Sequence, residues 1–209
     1  MTDSTSQGQV PALLVIDMQN AFIDARGSLP RMGLDTSRTR KVIEPIQRLR
    51  REFHDRGLPV IFLQHTHDAD GSDMGRIAEV FPPIRALGHC FDGTWDAGFI
   101  AELCPEAPDY VVKKHRFSGF YKTDLGDLLH RLHVTTLVVT GIATNICVES
   151  TIRDAFYRDY AVVVPREATA SFTEEAEAGS FANFGFAFAR VLPLEDVILS
   201  LAGASAHVR

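Results

Sequence analysis

The chain has 209 residues, 45% of them hydrophobic, and a formal net charge of −6 at pH 7. That length supports one domain with a substantial core, and an acidic balance without any polybasic run excludes the basic surface a nucleic-acid partner requires. Cys90, Cys104 and Cys147 form no CxxC pair and argue for a reducing compartment. No apolar run approaches the roughly 20 residues of a membrane span, so the reading is a cytoplasmic protein with a small-molecule ligand and no nucleic-acid or membrane partner.

The polar opening MTDSTSQGQV, residues 1–10, reads as a disordered or extended tail, and 11–209 as one domain. ALLVID (12–17) is an apolar run of buried-strand type that stops at Asp17, placing a carboxylate at its carboxyl end. A basic amphipathic segment, 36–56, reads as a crossover helix with Asp35 as N-cap and Gly57 as terminator. PVIFLQH (59–65) is the second strand. The turn-rich stretch 66–94 is long for a connection and reads as a wall of the active site. YVVKK (110–114) is the third strand, followed by a helix over 123–133 capped by Thr123.

Residues 136–140 form a fourth, fully buried strand, and the segment from 145 to 157 reads as a helix. A fifth strand spans 161–165. Ser171-Phe-Thr-Glu174 has capping-box spacing ahead of a long last helix, and a short sixth strand lies near 189–192. Alternating strands and helices imply an α/β fold, a three-layer αβα sandwich around a central, mostly parallel sheet of about six strands, Rossmann-like in plan. In such sheets ligands bind beyond the carboxyl ends of the strands, where Asp17, Lys114 and Cys147 all fall.

Cys147 lies six residues after Gly141, at a strand-to-helix junction. Helix N-terminal N–H groups would stabilise a thiolate there and lower the thiol pKa; a buried cysteine packing as a small hydrophobe is the alternative. Lys113 and Lys114 point to opposite faces of their strand, so one of them at most enters a site. Asp17 and Lys114 each have a bland alternative too, as a turn residue and a solvated strand-end lysine.

The stretch TGIATNICVEST (140–151), with LLVIDMQNAF (13–22) and YVVKKHRFSGF (110–120) in the same order, closely resembles the isochorismatase-like cysteine hydrolases over about residues 11–195. The resemblance implies a catalytic triad of Asp17 as proton carrier, Lys114 as the cation holding it, and Cys147 as nucleophile. It implies a thioester intermediate in the hydrolysis of a small amide, with release of ammonia. It also implies an oxyanion hole from the backbone N–H groups of Ala143 and Cys147, a cis Ile142–Ala143 bond, and a homodimer or homotetramer.

Phe22 resembles an aromatic wall residue of those enzymes; Gln64, Trp95, Arg116, Phe117, Tyr121 and Ile142 complete the candidate substrate contacts. KHRFSGFYKT (114–123) looks more like the ureidoacrylate and biuret hydrolases than like nicotinamidases, which points to a carbamoyl or ureido amide. Phe117 and His115 depart from those relatives' usual Tyr and Pro. Arg76, Arg85, Arg116 and Lys122 suggest cations around the cleft that could pair with a substrate carboxylate.

Nicotinamidases of this resemblance hold a divalent ion through an Asp-x-His pair, where this chain reads His65-Thr66-His67, with Asp73 and His89 downstream. Histidine stands in place of the aspartate, so no required metal and no cofactor are expected. Three rival readings stay open: a nicotinamidase-type amidase, a vinyl-ether-cleaving isochorismatase (against which Cys147 argues), and a non-catalytic module on the same fold. GxSxG and HExxH are absent, which removes serine-hydrolase elbows and zincins.

Overall fold

The computed structural model describes residues 10–204, so the tail reading falls outside the described residues except at Val10, whose N–H donates to Thr135 Oγ1 at 3.1 Å. Seven strands, β1 (Pro11–Ile16), β2 (Val60–His65), β3 (Tyr110–Lys114), β4 (Thr136–Ile142), β5 (Ala161–Pro165), β6 (Thr169–Ala170) and β7 (Arg190–Leu192), form one sheet. Their order is β3-β2-β1-β4-β5-β7, with β6 beside β4, and every pairing is parallel. The expected sheet of about six strands gains β6, whose two residues are too few to show a period.

All six residues of β1 are buried, as a central parallel strand covered on both faces must be. Its side chains alternate between two cores. Leu13 and Val15 meet Phe62, Val138 and the inner faces of helices Ile43–Asp55 and Leu194–Ser200. Ala12, Leu14 and Ile16 meet Leu63, Val139 and helices Leu125–Arg131 and Glu149–Phe156, with Phe181 and Phe184 beyond. The three layers follow from that alternation.

Helix boundaries differ from the sequence reading for local reasons. The segment from 36 begins as a 3₁₀ turn, Ser37–Val42, and Asp35 Oδ1 accepts from the Ser37 N–H at 2.9 Å, closing a turn instead of capping a helix. Thr123 does not cap its helix, which starts at Leu125 after Asp124; its hydroxyl bridges Gly119 and Leu125. The expected capping box at Ser171 is replaced by a cap at Thr173, whose Oγ1 accepts from the Ala176 N–H at 3.2 Å. Helix Leu194–Ser200 had no counterpart in the sequence reading.

At the carboxyl edge β1 and β4 approach so closely that a Cβ on Gly141 would lie 2.1 Å from the Ile16 carbonyl oxygen. Gly141 also has φ +105, a left-handed backbone, so only glycine fits. That contact brings the residues following both strands, Asp17 and Ala143–Cys147, to one place.

Candidate active site

Asp17 leaves β1 with φ +53, a left-handed conformation uncommon outside glycine and enriched at functional positions. Its N–H is held by the Leu63 carbonyl at 3.0 Å. Lys114 ends β3 on the inward phase of the pleat and is fully buried, while Lys113 points outward and pairs with Asp92 at 2.8 Å. Lys114 Nζ lies 2.9 Å from Asp17 Oδ2 and 3.5 Å from Cys147 Sγ. Its other neighbours are His65 Nδ1 at 3.2 Å and the Arg116 carbonyl at 3.3 Å. Asp17 Oδ1 is buried with no partner at hydrogen-bonding geometry among the described residues. Cys147 stands near enough that carboxylate and thiol each shift the other's titration.

Burial pushes the Asp17 carboxyl above its ordinary range, against the pull of Lys114. Burial also opposes the Lys114 ammonium, but Asp17 and Cys147 together hold its pKa above the usual lysine value. Burial pushes the Cys147 thiol up, Asp17 adds to this, and Lys114 only partly offsets them. The thiol thus shifts opposite to the lowering expected at a helix N-terminus, because loss of water and a facing carboxylate both disfavour the thiolate.

The nucleophile turn itself differs from the sequence reading. Thr144–Val148 form one π turn ahead of helix Glu149–Phe156, and π turns of this kind recur at functional sites. The Ile142–Ala143 peptide is cis. Thr151 Oγ1 donates to the Cys147 carbonyl at 2.7 Å and accepts from the Gly119 N–H at 3.0 Å, tying the turn to the loop after β3. From the other side Ser171 Oγ donates to Asn145 Oδ1 at 2.7 Å, and Ser180 Oγ to Glu149 Oε2 at 2.6 Å.

A cavity of about 650 Å³, counted out to its mouth, opens beside Cys147. Of the candidate contacts it is lined by Phe22, Phe117, Ala143 and Cys147. The rest of the lining is almost entirely apolar: Ile77, Phe81 and Ile84 come from the 66–94 stretch read as a wall of the site, while Leu29, Met32, Ile146 and Phe172 were not singled out as lining residues.

The other candidate contacts sit elsewhere. Gln64 Nε2 donates to the Ala97 carbonyl at 2.9 Å, and Ile142 is packed into the sheet core. Trp95 is 47% exposed beneath the Arg26 guanidinium, and Tyr121 is 49% exposed beneath Lys122. Arg116 Nη1 donates to the Asp73 and His115 carbonyls at 2.7 and 2.6 Å, so it fastens its own loop. Gln19 was missed. This buried side chain accepts from the His65 N–H at 2.8 Å and donates to the His65 and Ala97 carbonyls at 2.9 and 2.7 Å, clamping β1, β2 and the following loop. Its one sequence signal is its place two residues after Asp17.

The histidines form a chain, not one centre. His65 Nε2 meets His67 Nε2 at 2.9 Å, and His67 Nδ1 meets Asp73 at 3.3 Å. Among the described residues, donor atoms converge within 4.8 Å in two groups, His67–Asp73–His115 and His89–Cys90–Asp96. Of the four residues weighed for a metal, His67 and Asp73 fall in one cluster, His89 in the other and His65 in neither. A Lys114 ammonium against His65 Nδ1 is the wrong neighbour for a bound cation. Burial lowers the pKa of His65 and His67, and that of His89 to about 4, keeping these rings neutral.

Residues 11–196 match the family model described as the isochorismatase domain. A ureidoacrylate amidohydrolase from Methylobacterium radiotolerans is 39% identical over 169 residues, 75% of this chain and 66% of that protein, so the chain spans just under two thirds of that relative's length. Among solved structures, a cysteine hydrolase from Pseudomonas syringae superposes with a TM-score of 0.83 at 30% identity, covering 91% of each chain. An N-carbamoylsarcosine amidase from Thermoplasma acidophilum superposes with a TM-score of 0.72 at 33% identity, covering 88% of this chain and 96% of that one. Among the described residues no helix is long and apolar enough to cross a membrane.

Proposed function

The chain belongs to the isochorismatase family, and we propose that it is a cysteine-dependent amidohydrolase that cleaves a C–N bond of a small carbamoyl or ureido amide. The observation that carries this reading is the buried Asp17–Lys114–Cys147 cluster beside an open cavity. The names of the relatives, a ureidoacrylate amidohydrolase and an N-carbamoylsarcosine amidase, support the substrate class.

An amide carbonyl is a poor electrophile, so hydrolysis needs an activated nucleophile, a stabilised oxyanion and a proton for the leaving nitrogen. Asp17, its pKa raised by burial, is a stronger base than an ordinary carboxylate, and Oδ1 has a lone pair free for the thiol proton. As that proton moves, sulfur attacks the carbonyl carbon; the Lys114 ammonium faces both anions and keeps the charge compensated. The N–H groups of Ala143 and Cys147, both on the cavity wall, are assigned to the oxyanion.

Asp17 returns its proton to the leaving nitrogen as the C–N bond breaks, leaving an S-acyl enzyme, a thioester, or an S-carbamoyl enzyme from a urea. Water then attacks this carbon as Asp17 accepts its proton. The carbon–sulfur bond breaks, the thiol regains the proton, and the acid or carbamate departs.

Ammonia release over a panel of small amides and ureas tests the reading: at least one carbamoyl or ureido compound is expected to turn over, with iodoacetamide abolishing the activity and substrate protecting Cys147. A preference for nicotinamide by tenfold or more, about 1.4 kcal/mol of transition-state stabilisation, would remove the carbamoyl assignment. No turnover of any panel member would remove the amidohydrolase reading. A homodimer or homotetramer is part of the same proposal, and sedimentation measures it.

A further inference from the structure

The cations that the sequence suggested around the cleft do not reach the cavity. Arg116 is bonded to two backbone carbonyls, Arg85 donates to the Gly71 carbonyl at 3.0 Å, Arg76 pairs with Glu79 at 3.1 Å, and Lys122 lies over Tyr121. Lys114 is the cation next to Cys147, and Asp17, His65, the Arg116 carbonyl and Cys147 already surround its Nζ. None of these basic side chains lines the cavity.

The polar side chains on its wall are two neutral imidazoles, His65 and His89. Both nitrogens of His65 are engaged, by Lys114 and His67. His89 Nδ1 lies 2.6 Å from Ser28 Oγ, which is also 2.7 Å from Asp96 Oδ2. The single hydroxyl proton goes to the carboxylate, so His89 Nδ1 must be the donor to Ser28, and Nε2 is left as a bare lone pair. Such a lone pair repels an anion and accepts from an N–H. The same cavity wall carries Leu29, Met32, Ile84, Phe117 and Phe172. An unpaired carboxylate would lose its hydration to this wall and gain no partner.

Resting on the amidohydrolase reading above, we propose that this site selects an uncharged amide or urea bearing an apolar substituent of about phenyl size, and that it rejects the corresponding carboxylate-bearing compounds. A carbamoyl group at Cys147 would leave the hydrocarbon wall of Leu29, Met32, Ile84 and Phe172 uncovered, and an apolar substituent would cover it.

The test compares pairs with the same scissile group, benzylurea against N-carbamoylglycine and 3-phenylpropanamide against succinamate. Either C–N cleavage of a urea yields ammonia, because carbamate decomposes. The apolar member is expected to have at least a hundredfold higher kcat/KM; equal or better turnover of the carboxylate member overturns the inference and leaves the amidohydrolase reading standing.

Calorimetric binding of each pair to Cys147→Ala separates the two claims. Tighter binding of the apolar member by tenfold or more supports the pocket assignment even if the wild type hydrolyses neither, and equal or tighter binding of the carboxylate overturns it. In Phe81→Arg, which places a cation on a half-exposed lining residue, the gap is expected to narrow at least tenfold; an unchanged gap counts against the electrostatic argument.

Discussion

The two sides of the cavity are built differently. On one side Asp17, Lys114 and the Cys147 turn project from three adjoining regions of a parallel sheet, with buried hydrogen bonds from Gln19, Thr151 and Ser171 holding them. On the other, residues 66–94 supply two four-residue helices, Ile77–Val80 and Pro83–Ala86, whose Ile77 and Ile84 form with Met74 from the preceding turn a small cluster separate from the two main cores. The groups proposed to react occupy the well-packed sheet edge, and the surface proposed to fit a substrate is carried by elements with little packing of their own. Changes on the first side should therefore damage chemistry and stability together, whereas changes on the second should alter recognition at modest structural cost.

Lys114→Met tests the rigid side most severely. It leaves the Asp17 carboxylate buried without its cation, so turnover should fall by about a thousandfold and unfolding free energy by roughly 3 to 5 kcal/mol. Urea denaturation and steady-state kinetics read both. A fully active, fully stable variant would break the contrast.

Acid should act on both sides through the histidines, His65 at the end of β2 and His67 and His89 in the 66–94 stretch. Each imidazole buried in neutral form has a depressed folded-state pKa, so its contribution to stability is present above pH 6.5 and lost as pH falls toward the folded value. For His89 that window runs from 6.5 to about 4. Its full loss is on the order of 3 kcal/mol. Melting temperature should drop steeply across that interval, and less so in His89→Gln; a flat profile would show that the rings are protonated without cost.

On the loop side, Ile84→Ala removes a buried side chain from the small cluster and from the cavity wall. It is expected to raise KM more than it lowers kcat and to cost about 2 kcal/mol, at the low end for a buried isoleucine because a satellite cluster can relax. Trp95→Ala should do least. An exposed ring stacked under Arg26 outside the cavity should cost under about 0.5 kcal/mol and leave kcat/KM unchanged.

The same division marks what could be read from the sequence. β3 and β5 have the residue bounds that their β-branched runs suggest, because such a run is a local pattern. Asp17, Lys114 and Cys147 each end or follow such a run, and it was the resemblance of their motifs to the isochorismatase-like cysteine hydrolases that singled them out. The thiol's direction of shift could not, because it depends on burial and on a carboxylate 130 residues away in sequence. Gln19 was equally hidden, as was the part of the cavity wall outside residues 66–94, because their roles come from contacts across the fold, with Gln19 meeting the backbone at residues 65 and 97. Arg116 and Trp95 were conspicuous by chemistry, yet local partners hold both away from the cavity.

In the proposed mechanism Cys147 carries the substrate's acyl or carbamoyl group during turnover. Rapid acid quench of enzyme mixed with benzylurea or 3-phenylpropanamide, followed by intact-protein and peptide mass spectrometry, measures it directly. The expected result is a transient mass increase equal to the acyl or carbamoyl group, located on the peptide containing Cys147 and absent from Cys147→Ala, whose turnover falls at least a thousandfold. Retention of substantial turnover by Cys147→Ala, or an adduct on another residue, would contradict it.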